Sequence, residues 1–301
     1  MVIDPIIIAQ LLWLGLLRGS IYALMSLGLS LTFGVMRIVN FAHGEFFMLG
    51  AYISYFLLTF LGINPLISFI STFIVLGISF ILGAGISRTF FSALRLRSGK
   101  EWIIDSFVLT LGLSVMLQNL ALALWTPVYR GIPYLWNPST LKILEISTTI
   151  DRIAILFGSL LAIFIFWYFL SYTFLGKAIR AVSQNEEAAK SLGVNENKIY
   201  TLTFGLSSML ASLAGVLLLP FAGAYPTVGV NPLLKSFIVV ILSGLGNIHG
   251  AIFGGFFVGI IETFAIFYTE EGWNSVILLA LLIIVLIIRP TGFFGKRVRY
   301  V

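Results

Sequence analysis

The sequence predicts an all-α integral membrane protein, a polytopic bundle of about 8–9 transmembrane helices, some of them broken. Three observations carry this. Of 301 residues, 59% are hydrophobic and 10% are charged, whereas a soluble domain carries roughly a quarter charged residues. The mean hydropathy is +1.06, more apolar surface than a soluble fold hides. Apolar runs of membrane-crossing length recur, about 17–25 residues each. They are continuous rather than alternating, which excludes a barrel, and a helix satisfies its own backbone groups in lipid.

The first run, Ile6–Phe33, lacks a basic start and a cleavage site followed by a polar mature domain, so it reads as a retained span. Phe46–Phe60, Leu66–Ile86 and Ile103–Trp125 follow. A proline-bearing segment, 126–151, separates them from Ile153–Tyr172, and a polar island, 176–200, precedes Thr201–Phe221. Leu233–Leu245 and Ala251–Phe267 are short and glycine-linked. As separate spans they give nine crossings; as one broken unit they give eight. Val276–Ile288 is the last. No linker divides the chain, so residues 1–301 form a single transmembrane domain.

Charge sets the expected orientation. Twelve of the eighteen basic residues fall in three segments: Arg88, Arg95, Arg97 and Lys100; Lys177, Arg180, Lys190 and Lys198; Arg289, Lys296, Arg297 and Arg299. The positive-inside rule puts these in the cytoplasm. Nine spans then place the N-terminus outside and the C-terminus in the cytoplasm, with 126–151 and Glu270-Glu271 outside. The net charge of +6 serves membrane orientation here rather than nucleic-acid binding.

The composition also removes chemistries. There are no cysteines, so thiolate catalysis and cysteine-held metals are excluded. No GxxxxGK[ST] occurs, and Gly244–Gly250 is not a dinucleotide fingerprint. No nucleophile elbow appears. His43, Glu45 and His249 lack a metal-ligand spacing. We therefore expect no catalytic, cofactor or metal residues. Small residues at four-residue spacing (Gly15, Gly19, Ala23; Ser207, Ala211, Gly215; Gly246, Gly250, Gly254) mark close helix packing.

Two polar breaks stand out. One contains Arg37, Asn40, His43, Gly44 and Glu45. The other contains Gly246, Asn247, His249 and Gly250. Both set Asn and His-Gly between apolar runs, as discontinuous helices along a substrate path do. Asn40, His43, Glu45, Asn247 and His249 are thus the candidate pathway residues. The structural alternative is an Arg37–Glu45 pair at the membrane edge, with His43 satisfied by backbone. Arg18 and Glu262 stand isolated in apolar runs, and Lys235 is a further charge within one.

In the polar island, Ala178, Ala181, Val182, Ala188, Ala189 and Leu192 give an apolar face, and Gly193 suits a helix stop. Asn195 or Asn197 suits the cap of the next helix. A short helix with small residues and flanking charges fits a partner's groove, or is a solvated connection.

Glu187-Ala188-Ala189 followed by Gly193 is similar to the EAA loop of ABC-importer permeases. The stretches Gly19–Leu24, Gly28–Gly34, Asn40–Glu45 and Met48–Tyr52 resemble branched-chain amino acid permeases of the LivH type, as do Gly176–Gly193 and Ser243–Gly259. The resemblance implies an ABC importer permease for leucine, isoleucine and valine. Its partners would be a second, LivM-like permease, two ABC ATPase subunits that carry ATP and Mg, and an extracytoplasmic amino-acid-binding protein, within lipid of the inner membrane. Arg180, Glu187, Ala188, Ala189 and Gly193 would couple the ATPases to the bundle. Urea and short-amide permeases share much of this pattern. An ion-coupled secondary transporter is the alternative of another class.

Overall fold

A computed structural model describes residues 4–133, 135, 140–143, 146–269 and 272–295. Glu145, Pro138, the Glu270-Glu271 pair, Lys296, Arg297 and Arg299 lie outside the described residues. The helices in order are α1 (Pro5–Met36), α2 (His43–Leu61), α3 (Pro65–Ile86), α4 (Ser92–Ser98), α5 (Trp102–Trp125), α6 (Ile150–Tyr172), α7 (Phe174–Gln184), α8 (Glu186–Ser191), α9 (Glu196–Ala222), α10 (Val230–Ser243), α11 (Ile248–Tyr268) and α12 (Trp273–Ile288). A widened turn, Ser87–Phe91, joins α3 to α4. Seven of the described helical stretches are long and apolar enough to cross a membrane, and α10 and α12 are shorter apolar helices.

Helix starts follow local chemistry. The side chains of Asp4, Asn64, Thr173, Asn185, Asn195 and Asn247 each accept from a backbone N–H in the first turn of the helix they precede, which satisfies an otherwise orphaned donor. Of the two candidate caps before α9, Asn195 is the one used.

One element is absent from the sequence reading. Strands β1 (Leu141–Ile143) and β2 (Ile146–Thr148) pair antiparallel between α5 and α6. Gln10 of α1 extends this pair: its Nε2 donates to Ser147 O at 3.0 Å, and Ser147 N donates to its Oε1 at 3.1 Å. Trp13 Nε1 donates to Thr148 Oγ1 at 3.0 Å. The start of α1 and the described residues of 126–149 therefore share one face, the hairpin face. The opposite face carries α4, α7, α8 and the 289–295 tail, and with them the described residues of the basic segments. There Arg95 reaches Asn197 Oδ1 at 2.6 Å and covers the Tyr200 ring at 4.4 Å. The tail packs on the end of α10, Phe293 N donating to Leu242 O at 2.7 Å.

The glycine rows place the long helices. α1 lies along α11. A Cβ on Gly259 would collide with the Gly19 backbone, and one on Gly255 with Ala23. α9 lies along α3 and α2. Gly215 abuts Phe47 O, Gly50 abuts Ser212, and Gly83 abuts Ser208. In lipid, where apolar burial drives little helix association, such backbone approach supplies the packing.

The order long helix, break, helix, helix occurs twice. α1 runs from the hairpin face to the basic face, and α2 and α3 follow. α9 runs the other way, and α10 and α11 follow. α11 packs on α1 and α3 packs on α9, so the two sets are interleaved in opposite senses.

Candidate functional site

The chain turns back into the bundle after α1. His43, the first residue of α2, places Nε2 3.0 Å from Met25 O. Met25 lies eleven residues before the end of α1, about 16 Å of helix rise. The segment 37–42 is thus re-entrant, and α2 starts at mid-depth. Arg37 makes the reversal possible: it caps α1 with a left-handed backbone (φ 58°), and its N–H reaches Phe33 O at 3.0 Å.

A second re-entrant segment, 223–229, comes from the opposite face. Ala224 exchanges backbone hydrogen bonds with Arg130 of the hairpin face, at 2.8 and 3.0 Å. Five residues later, Gly229 touches Gly44. A Cβ on Gly44 would sit 2.8 Å from Gly229 O, and one on Gly229 would overlap Gly44 O. Two helix N-termini, those of α2 and α10, therefore abut inside the bundle. Neither has a side-chain cap.

Polar groups gather at this junction. A carbonyl can only accept, so His43 Nε2 carries a proton toward Met25 O. Nδ1 then faces Ser207 Oγ at 3.3 Å, and that hydroxyl also lies 2.8 Å from Gly28 O. Ser212 Oγ donates to Phe46 O at 2.7 Å. Asn40 is fully buried, and neither Oδ1 nor Nδ2 has a partner among the described residues. Glu45, in the first turn of α2, accepts from Ser114 Oγ and Gln118 Nε2 of α5, both at 2.8 Å. The Arg37–Glu45 pair does not form, because Arg37 stays at the basic end of α1 while Glu45 is carried inward. Phe41 meets Phe107 of α5 at 5.0 Å and Phe237 of α10 at 5.1 Å between ring centroids. The junction thus joins helix N-termini, an unpartnered amide and an aromatic patch.

Asn40, His43 and Glu45 come together here; Asn247 and His249 do not. They occupy the tight turn from α10 to α11 on the basic face, beside Gly34. Asn247 Oδ1 caps α11 through Gly250 N at 3.0 Å, and its Nδ2 donates to Phe294 O at 2.8 Å. His249 is exposed. The partner of the 37–42 break is 223–229. Its signal in the sequence is a Gly-to-Gly loop around Pro226; in the structure Ala224 and Val228 of that loop are buried.

A second polar centre links α1, α10, α11 and α12. Glu262 is fully buried. Its Oε2 accepts from Tyr22 Oη at 2.6 Å, and its Oε1 pairs with Lys235 Nζ, lies 3.8 Å from Arg18 and accepts from Asn274 Nδ2 at 3.2 Å. Lys235 also sits 5.5 Å from the centre of the Tyr22 ring. The charges that look isolated in the sequence are one cluster.

On the basic face the polar island forms two helices, α7 and α8, divided at Asn185. Glu187 and Ala188 are exposed, while Ala189 is turned inward at 2% exposure. Gly193 (φ 85°) ends α8: Gly193 N reaches Lys190 O at 2.9 Å and Val194 N reaches Ala189 O at 3.0 Å, the paired bonds of a Schellman stop. Lys190 Nζ donates to Glu196 at 3.0 Å, and that hydrogen bond holds its ammonium above the ordinary lysine range. Arg180 is exposed and donates to Ser171 O at 3.1 Å.

Comparison with known proteins places this architecture. The family described as "Branched-chain amino acid transport system / permease component" matches residues 11–286. The high-affinity branched-chain amino acid transport system permease protein LivH of Salmonella typhimurium is 30% identical over 308 residues, 95% of each chain. The permease protein BraD of Pseudomonas aeruginosa, of the same description, is 31% identical over 294 residues, 94% of each chain. The ribose import permease protein RbsC of Escherichia coli is 35% identical over 103 residues, 32% of each chain. No solved structure matches.

Proposed function

Because the chain belongs to the family of branched-chain amino acid transport permeases, we propose that it is the LivH-type permease of an ATP-driven importer for leucine, isoleucine and valine. It works with a LivM-like second permease, two ABC ATPases that bind ATP and Mg, and an extracytoplasmic binding protein. It sits in the inner membrane with its N-terminus outside and the basic face in the cytoplasm.

The observation that carries the ATP-driven reading is the exposed α7–α8 pair on the basic face, stiffened by the Asn185 cap and the Gly193 stop. Glu187 and Ala188 present outward, where a groove on an ATPase would receive them. Arg180 and Lys190 flank the contact. Movement of α8 passes through Ala189 and Val194 to the start of α9 and then to 223–229.

The passage is the junction of α2 and α10. Helix N-termini favour anions, and half-helix N-termini at mid-membrane receive substrate carboxylates in other carriers. Phe41, Phe107 and Phe237 suit an aliphatic side chain. Asn40 offers an amide oxygen and nitrogen to the zwitterion. Rocking one interleaved set against the other alternates access.

The test is co-purification followed by uptake. The wild-type chain should retain the ATPase, and proteoliposomes with all partners should accumulate leucine only with ATP. Uptake driven by an ion gradient through this chain alone would overturn the proposal. Accumulation of urea or acetamide instead of leucine would overturn the cargo assignment and leave the coupling intact.

A further inference from the structure

Outside the junction, α3, α6 and α9 leave a groove of about 560 Å³ between them. It opens at Pro65, Asp151 and Pro220 near the hairpin face and runs to Phe169 and Leu206 toward the basic side. From Asp151 to Phe169, α6 rises about 27 Å, close to the roughly 30 Å of a hydrocarbon core. The walls are almost entirely apolar, so the groove has the length and chemistry of an extended acyl chain.

Its hairpin-face mouth is charged. Asp151 lines the groove and is 2% exposed. Oδ1 accepts from Leu135 N at 2.9 Å, whereas Oδ2 has no partner among the described residues. A buried carboxylate oxygen without a donor is costly, so an occupant that supplies an N–H donor is favoured. Beside it, the Arg152 guanidinium stands 5.8 Å from the centre of the Phe221 ring, next to the groove-lining Pro220. An anion thus lines the entrance to an apolar slot, and the next residue along α6 carries a cation.

We propose that this groove binds an aminophospholipid of the ethanolamine type. Its acyl chain lies between α3, α6 and α9, its ammonium donates to Asp151 Oδ2, and its phosphate pairs with Arg152. A choline headgroup has no N–H to donate, and a glycerol headgroup has no cation. A serine headgroup brings a carboxylate against Asp151. The ethanolamine lipid is the one whose charges complement the mouth.

Native mass spectrometry of the full chain in detergent, titrated with phosphatidylethanolamine, phosphatidylcholine or phosphatidylglycerol, tests this. The wild type should retain one phosphatidylethanolamine with about tenfold preference over the other two, the scale of one charge-assisted hydrogen bond. Asp151→Asn keeps an oxygen for Leu135 N and should lose the preference while still taking up lipid. Ala162→Phe and, independently, Ala154→Phe fill the slot and should abolish retention. Equal retention of all three lipids by the wild type, or an unchanged preference in Asp151→Asn, overturns the proposal.

Discussion

Gly44 and Gly229 meet backbone to backbone, and each excludes a side chain on the other. This contact seats two uncapped helix N-termini against each other in the interior. Gly229→Ala is therefore expected to separate α2 from α10, with a cost of about 1–3 kcal/mol for overpacking. Thermal unfolding of purified protein should show a lower midpoint, and uptake should fall. Gly77→Ala is the control. Its Cβ would meet nothing within 4 Å, and replacing a mid-helix glycine should be neutral or stabilise by up to about 1 kcal/mol.

Glu262 neutralises Lys235 in the bundle, so removing one partner strands the other. Glu262→Gln should cost about 3–5 kcal/mol, the range for breaking a buried pair. Glu262→Gln with Lys235→Met should recover much of that loss. A double-mutant cycle read by denaturation checks this, and additive losses would show that the two charges do not depend on each other.

Gly193 ends α8 with φ 85° and open space around it. Gly193→Ala therefore meets backbone strain rather than collision, about 1–2 kcal/mol for a left-handed residue. Gly193→Asn should be milder, because asparagine tolerates this conformation. The global unfolding midpoint should barely change, since the peripheral α8 relieves the strain by unwinding locally. The measured effect should be weaker retention of the ATPase in a pull-down, in the order Gly, Asn, Ala. Glu187→Lys should lose retention with no change in unfolding midpoint.

His43 holds α2 to α1 through Met25 O and to α9 through Ser207. His43→Phe removes the buried donor to Met25 O and the ring nitrogen facing Ser207 Oγ, and should cost about 1–3 kcal/mol. His43→Gln can still donate and should retain more stability than phenylalanine. A melting comparison of the two variants decides whether the hydrogen bonds or the ring volume matter.

The spans were legible because a helix must be apolar for its whole membrane passage, and nothing else produces such runs. The cap before α9 (Asn195 or Asn197), the Gly193 stop and the glycine rows were legible because each rests on local geometry, whereas Asn247, a pathway candidate by residue type, is a cap. The pairing of the breaks was not legible. Asn40-His43 and Asn247-His249 share residue types, yet only the first lies at depth. Depth is set by how α2 and α10 pack against distant helices, which no short motif encodes. For the same reason Glu262 looked solitary: Lys235 and Tyr22, two of its partners, are 27 and 240 residues away.

The interleaving of the two helix sets has an energetic consequence. Under the alternating access proposed above, because α3 grips α9 much as α11 grips α1, tilting the bundle toward either face would exchange similar contacts for similar contacts. The two extremes of that tilt then differ by little free energy. A small push delivered at one end, on the order of a few kcal/mol, is enough to reverse their populations.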